Sequence, residues 1–493
     1  MPATQPNILL ITTDQQRYDA SGGAGPSFLR TPHFDRLRHE GITFTRGYSD
    51  DPVCVPSRMG IMTGKQVFTH GMSGNGITSK ILGREGTLPW YLRELGYQTI
   101  AIGKMHFGPE RARHGFDEMI LPDDYYRQMR HSGNDFQPMR HGLGQNELYP
   151  GMATVPEALT LTSWIAEQCM NYIHFRRDPS VPFFLWCSFT KPHPPFDPPE
   201  PYYSMYRQEA IPEPVIGDWR ETEECPPAFA KQQKRRTYDL LSPEVIREAR
   251  SAYYGLITQI DYNMARVYSA LEDLALYHET LIVYTSDHGE FLGDHRAGAK
   301  SHFHEPSAHV PFAMRLPSSW DNRCHGTQES SPVTHADILP TLLKAAGGEP
   351  PADTDGQDLV AVARGEHESP RKYLEGMNGP GPTGKDLRLD CVYLALTDGR
   401  WKYMYYPEGP AELLFDLEAD PQEARNLAYE RSAAAKREEL RDELIRRQRA
   451  RGGKYLEDDD LPVRDAVHVP DADMRNQNQP GAHTEYWQID VRH

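Results

Sequence analysis

The sequence predicts an α/β fold: a large mixed, mostly parallel sheet sandwiched by helices, followed by a smaller C-terminal α+β subdomain. Three observations carry that reading. Apolar runs of strand length recur, each ending in polar, reactive side chains; amphipathic helical stretches lie between them; and past about residue 356 the chain turns to shorter, more polar segments. A strand buried on both faces reads as a continuous apolar run, and strands alternating with helices give a sheet covered on both sides. The 493 residues suffice for two to four domains, or for one large α/β domain with an appendage.

The first strand is PNILLITTDQQ, apolar from Ile8 to Ile11 and ending in Asp14 and Gln15. Helical periodicity follows over residues 32–40, over residues 57–64 just after a proline, and over residues 87–95. The run 99–102 is the second strand, leading into Lys104 and His106. Residues 157–175 read as a helix, and 183–189 as a strand that runs into Lys191 and His193. Residues 243–274 have a long helical pattern in which Gly255 suggests a break. The strand 281–285 then delivers Asp287 and His288.

Downstream, CVYLALTDGRWKYMYYP and ELLFDLEADPQEARNLA predict a hairpin or small antiparallel sheet, and residues 433–449 a charged helix. The expected divisions are 1–355, 356–457 and 458–493. The last stretch is polar and proline-containing, without periodicity, and reads as a disordered tail or as an arm on a neighbouring subunit of a homo-oligomer.

A formal charge of -17 argues against general nucleic-acid binding, which needs a basic footprint. Six cysteines without any CxxC pair indicate neither a disulfide framework nor a zinc knuckle. The N-terminus has no basic n-region, and its apolar run is too short for a signal peptide or a membrane span. A soluble cytoplasmic protein without membrane partners is expected.

Ligand sites in such sheets gather at the carboxyl ends of the strands. Asp14, Gln15, Asp287 and His288 end two strands; if those strands are neighbours, three oxygens and an imidazole converge on a cation, and the oxygen majority favours Ca2+, with Mn2+ and Mg2+ left open. Either pair alone reads as helix caps; two pairs at matching strand ends favour the cation. Lys104, His106, Lys191, His193 and Lys300 supply local positive charge for an anion, and two histidines offer the acid and base of ester cleavage. His295, His302, His304 and His309 could bind metal or substrate, but read first as surface residues.

The stretch SDDPVCVPSRMGIMTG places Cys54 after two aspartates that disfavour a thiolate. CVPSR, Cys54 to Arg58, resembles the signature of the type I sulfatases of the alkaline-phosphatase superfamily, in which Cys-x-Pro-Ser-Arg directs oxidation of the cysteine to formylglycine. TPHFDRLRHEGITFTRGYS, GKMHFG, TKPHPPF, YYGLITQIDYNMARV, TSDHGEFLGDH and VTHADILPTLLKAAG follow in that family's order, and the likeness spans residues 7 to about 430.

The resemblance implies an alkaline-phosphatase-like fold and a sulfuric ester hydrolase acting on a sulfated carbohydrate or other small sulfate. It implies that a formylglycine-generating maturation enzyme converts Cys54 to 3-oxoalanine. One hydroxyl of the hydrated aldehyde then attacks sulfur, and the other lets the sulfated hemiacetal collapse by C–O cleavage. By motif position Asp14, Gln15, Asp287, His288 and residue 54 hold the metal. Arg58 and Lys104 stabilise the hydrate, His106 is the base, and His193 and Lys300 grip the sulfate and protonate the leaving alcohol. Lys191 joins the substrate-binding group. Gln15 and His288 depart from the commoner aspartate and asparagine, and resemble choline sulfatases and phosphonate monoester hydrolases. A phosphonate monoester or phosphodiester hydrolase is therefore the second reading, and a non-catalytic anion-binding protein with a structural thiol is the third.

Overall fold

The strand-length apolar runs pair as the alternation suggests. The computed structural model describes residues 5–75, 82–132, 137–144, 146–235, 238–320, 324–366, 371–379 and 392–466. Ten strands precede residue 335: β1 (Asn7–Asp14), β2 (Ile42–Phe44), β3 (Gly47–Tyr48), β4 (Gln98–Gly103), β5 (Glu118–Ile120), β6 (Phe183–Pro192), β7 (Thr280–Ser286), β8 (Phe312–Arg315), β9 (Thr327–Glu329) and β10 (Val333–Thr334). Eight of them make one sheet in the order β5-β4-β6-β1-β7-β8-β2-β9. Its left side, from β5 to β7, is parallel throughout; β8 runs antiparallel to both β7 and β2.

Alternation along β1 shows why the sheet needs helices on both sides. Ile8 and Leu10 enter one core with Val55, Met59 and Met62, whereas Leu9 and Ile11 enter the other with Ile165, Met264 and Leu271. The helix Cys54–Thr63 therefore lies against one face and the long helix Pro243–Asp273 against the other. Because β1 sits between β6 and β7, with Thr13 opposite Ser286 and Asp14 opposite Pro192, the polar ends of all three strands meet at one edge.

Three expectations are adjusted. The helix expected at 57–64 starts at Cys54, which places Pro56 in the first turn, where no intrahelical N–H is lost. Residues 157–175 divide into a short turn Glu157–Leu159, an α-helix Leu161–Asn171 capped by Thr160 Oγ1, and a π-helical turn Tyr172–Arg176. No break occurs at Gly255: the helix runs 31 residues without interruption, and a Cβ there would stand 2.4 Å from the Tyr202 carbonyl oxygen. The glycine serves a close approach of two chain segments.

The C-terminal sheet is antiparallel, in the order β11 (Leu374–Asn378), β12 (Tyr393–Thr397), β13 (Trp401–Tyr406), β14 (Ala411–Asp416). One face packs on the helix Ala434–Ala450 through Leu440 and Leu444; the other packs on Trp219, Phe229, Phe291 and Phe303 of the main body. The strand β11 was not expected from sequence. Most of the expected tail, residues 467–493, lies outside the described residues. Among the described residues no helix is long and apolar enough to cross a membrane.

Candidate active site

Cys54 opens its helix at the bottom of a cavity of about 600 Å3. The segment before it is anchored by its own aspartates. Asp50 accepts the Val67 N–H (2.7 Å), and Asp51 accepts from the Ser73 hydroxyl (2.7 Å) and the Asn378 amide (2.8 Å). Ser57 Oγ contacts Ser49 Oγ at 2.6 Å and donates to the Val53 carbonyl (3.0 Å). Both carboxylates are thus engaged by the helix Val67–His70 and by the C-terminal sheet. Burial pushes Asp50 up to about 6 and Asp51 up to about 7.

Around the thiol the ends of β1 and β7 converge. Cys54 Sγ lies 3.2 Å from His288 Nε2 and 3.9 Å from Asp14 Oδ1; His288 Nε2 lies 3.7 Å from Asp14 Oδ1 and 3.6 Å from Asp287 Oδ1. One ligand atom from each of Asp14, Cys54, Asp287 and His288 lies within 4.8 Å of the others, all of them buried. His288 Nδ1 is 3.0 Å from the Gly289 carbonyl, which only accepts, so Nδ1 carries a proton and Nε2 is the nitrogen that faces the cluster. Two fully buried carboxylates side by side are costly, and burial together with the Asp14 charge pushes Asp287 up. This donor set fits a divalent cation.

Arg58, with no exposed surface, lies beneath the cluster. Its Nε donates to Asp287 Oδ2 (2.9 Å), and Nη1 donates to the Lys104 carbonyl (2.5 Å) and Ser188 Oγ (3.0 Å). Lys104 Nζ bonds Asp14 and stands 3.7 Å from Cys54 Sγ. Burial and Asp14 would raise the Cys54 thiol, but Lys104, Lys300 and His288 outweigh them and hold it well below its usual value. The expected anion-binding side chains Lys104, His106, Lys191, His193 and Lys300 all line the cavity.

These five side chains differ in how they are held. His106 is exposed, on a residue with φ of 61°. His193 Nδ1 is 2.8 Å from the Pro194 carbonyl, so its Nε2 is the free nitrogen, and burial with Lys300 holds the ring well below its usual range. Lys300 donates to Gln15 Oε1 at 2.5 Å. Lys191 directs its ammonium to the Pro195 carbonyl (2.6 Å), the His193 carbonyl (3.4 Å) and Asp197, whose other oxygen meets His141 Nε2 (3.1 Å). The Lys191 charge fastens the loop that carries His193.

Sequence reasoning missed Glu290, Ser188 and Asn75. Glu290 accepts from Gln15 Nε2, Ser188 bridges Arg58 and Lys104, and Asn75 lines the cavity and accepts the Val55 N–H (3.2 Å). Only the GEF run after His288 marked Glu290, as one more acidic residue in a polar loop.

The reading of His295, His302, His304 and His309 as surface residues is corrected: all four are buried. His304 stacks on Trp219 with ring centroids 5.2 Å apart, His302 stacks near Tyr393 (5.9 Å), and His309 stacks on Tyr18 (3.9 Å). His295 lies 5.1 Å from the Trp219 ring. His295, His302 and His304 belong to the aromatic seam between the main body and the C-terminal sheet, whereas His309 packs within the main body; burial lowers His295 to about 4 and holds His304 well below its usual value.

Comparisons with known proteins agree with this geometry. The sulfatase family model matches residues 6–348, and the model described as the C-terminal part of N-sulphoglucosamine sulphohydrolase matches residues 293–450. An arylsulfatase of Clostridium perfringens is 31% identical over 94% of this chain and 100% of its own length. A multifunctional alkaline phosphatase superfamily protein of Trinickia caryophylli is 29% identical over 88% of this chain and 93% of its own. The crystal structure of the phosphonate monoester hydrolase of Agrobacterium radiobacter superposes with a TM-score of 0.78 at 26% identity, covering 90% of this chain and 96% of that one. With a cysteine-headed helix facing the strand-end pairs Asp14–Gln15 and Asp287–His288, and with these matches over most of its length, the chain belongs to the sulfatase family of the alkaline-phosphatase superfamily and is an enzyme of that family.

Proposed function

We propose that the protein hydrolyses an organic sulfate ester, of a carbohydrate or another small alcohol, through a formylglycine made from Cys54 by a maturation enzyme. One divalent cation, Ca2+ before Mn2+ or Mg2+, is held by Asp14, Gln15, Asp287, His288 and the residue at 54. The observation that carries this reading is the convergence of Cys54, Asp14, Asp287 and His288 at the foot of a cavity walled by His106, His193, Lys191 and Lys300. With the cation bound, the hydrated aldehyde is polarised as a nucleophile and the ester's charge is offset.

The chain's own groups do the rest. Arg58 is locked by its three acceptors and holds Asp287 and the Lys104 loop in register, while Lys104 places a positive charge 3.7 Å from the reacting position. Lys300 and His193 receive the anion. His193 is neutral before substrate arrives, and an anion beside its free Nε2 raises its proton affinity, so the same nitrogen can deliver a proton to the leaving oxygen. His106 faces the cavity as the base for collapse of the sulfated intermediate.

The test is turnover of aryl and carbohydrate sulfates by purified protein whose residue 54 is shown by mass to be formylglycine, with added Ca2+. Fully modified, metal-loaded protein that cleaves none of them ends the proposal. The Asp-Gln and Asp-His pairs, and the likeness to a phosphonate monoester hydrolase, support the second reading, a phosphonate monoester or phosphodiester hydrolase. Relative kcat/KM on sulfate and phosphonate esters of one leaving group decides between them.

A further inference from the structure

Gln15 is held rigidly at its backbone and at both ends of its amide. With φ of 77°, its N–H donates to Asp287 Oδ1 (3.1 Å) and its carbonyl accepts from Tyr253 OH (2.7 Å). Nε2 donates to Glu290 Oε2, and Oε1 accepts from Lys300 Nζ (2.5 Å). Chemistry fixes that orientation: a carboxylate accepting backbone N–H groups can only accept, and an ammonium can only donate, so nitrogen faces Glu290 and oxygen faces Lys300. Glu290 has no exposed surface, and its Oε1 also accepts the N–H of Leu292 (3.0 Å) and of Ala299 (2.5 Å), the residue before Lys300.

We propose that Glu290 is the positioning residue that orients the Gln15 amide, turning its oxygen toward the cation and Lys300 while clamping the loop that carries Lys300. The inference rests on the reading of Gln15 as a cation ligand. A carboxamide at 290 must still offer its oxygen to the two backbone N–H groups, so its nitrogen faces Gln15. Gln15 can then satisfy that donor only by flipping, which turns its own N–H groups toward the cation and Lys300. A carboxylate at 15 opposite a carboxamide at 290 restores every donor–acceptor pair and keeps an oxygen ligand in place. A carboxylate at 15 with Glu290 unchanged sets two acceptors against each other.

The experiment is calorimetric titration of Ca2+ and of Mn2+ into the metal-free full-length protein, with thermal melting of each variant. E290Q is expected to weaken cation binding by about 10–100-fold, the usual effect of disturbing a partner behind a metal ligand. Q15E is expected to bind more weakly than Q15E/E290Q, and the double variant to fold and regain most of the wild-type affinity. Unchanged affinity in E290Q overturns the inference, as does a double variant that fails to fold or binds no better than E290Q. A wild-type protein that binds neither cation overturns it too, together with the metal part of the proposed function. A wild-type protein that binds the cation but cleaves no ester defeats only the proposed function.

Discussion

Arg58 has no exposed surface and is shared among Asp287, the Lys104 carbonyl and Ser188. Arg58→Ala would leave a fully buried carboxylate short of its cation, and a loss of about 3–5 kcal/mol is expected, read as a lower melting temperature of the metal-free protein. A melting temperature within error of wild type would show that Asp287 finds another partner. Asp51 carries a pH dependence. Burial raises it to about 7 in the folded state, from about 3.8 in the open chain, so the folded protein binds the extra proton and stability falls as pH rises from about 4 to about 7. Asp51→Asn keeps an acceptor for Asn378 and removes the charge. Its melting temperature should therefore gain on wild type between about pH 4 and pH 7, and a gap constant with pH would refute the burial argument. Asp14, Asp287 and His288 were legible because each ends an apolar run. Glu290 was not, because its role depends on which amide of another strand it meets.

Among the elements, the helix Pro243–Asp273 tests local against tertiary reasoning. Propensity sees Gly255 as a weak point, worth up to about 1 kcal/mol if replaced by alanine. The Tyr202 carbonyl oxygen, 2.4 Å from where a Cβ would stand, reverses the sign. Gly255→Ala should cost about 1–3 kcal/mol through displacement of the 198–202 segment, and an increase in melting temperature would show that this segment yields freely. Strands β1, β4, β6 and β7 were legible from their apolar runs, since burial on both faces leaves little room for charged residues before the strand ends. Strand β11 escaped because LEGMN alternates weakly, and its identity comes from pairing with β12 some twenty residues later. The start of the helix at Cys54 was hidden by Pro56, which reads as a helix opener although it occupies the third position.

Across the whole molecule, the C-terminal sheet completes the catalytic body. Met377 donates to the Asp50 carbonyl (2.9 Å), Asn378 bonds Asp51, and Lys402, with no exposed surface, reaches the Phe303 carbonyl (2.9 Å), Glu305 (2.5 Å) and Glu423 (2.9 Å). Lys402→Ala should destabilise by about 3–5 kcal/mol, since the fully buried Glu423 and the partly buried Glu305 lose their shared cation; unaltered melting would mean the two parts are held by apolar contact alone. The buried histidines were misread because what covers them is distant in sequence: strands about a hundred residues downstream for His302 and His304, and Trp219 and Tyr18, both upstream, for His295 and His309. The burial of residues 53–58 also sets an order of events in time. Cys54, Val55, Ser57 and Arg58 are each at most 1% exposed, and Cys54 is reached through a cavity of about 600 Å3. If Cys54 is converted as proposed, the enzyme that grips this segment must reach it before the chain closes over it. On that reading folding becomes a deadline, and a molecule that misses it keeps its thiol. Presented with unmodified protein, the maturation enzyme should change the mass of the peptide Gly47–Arg58 only if the chain is first unfolded.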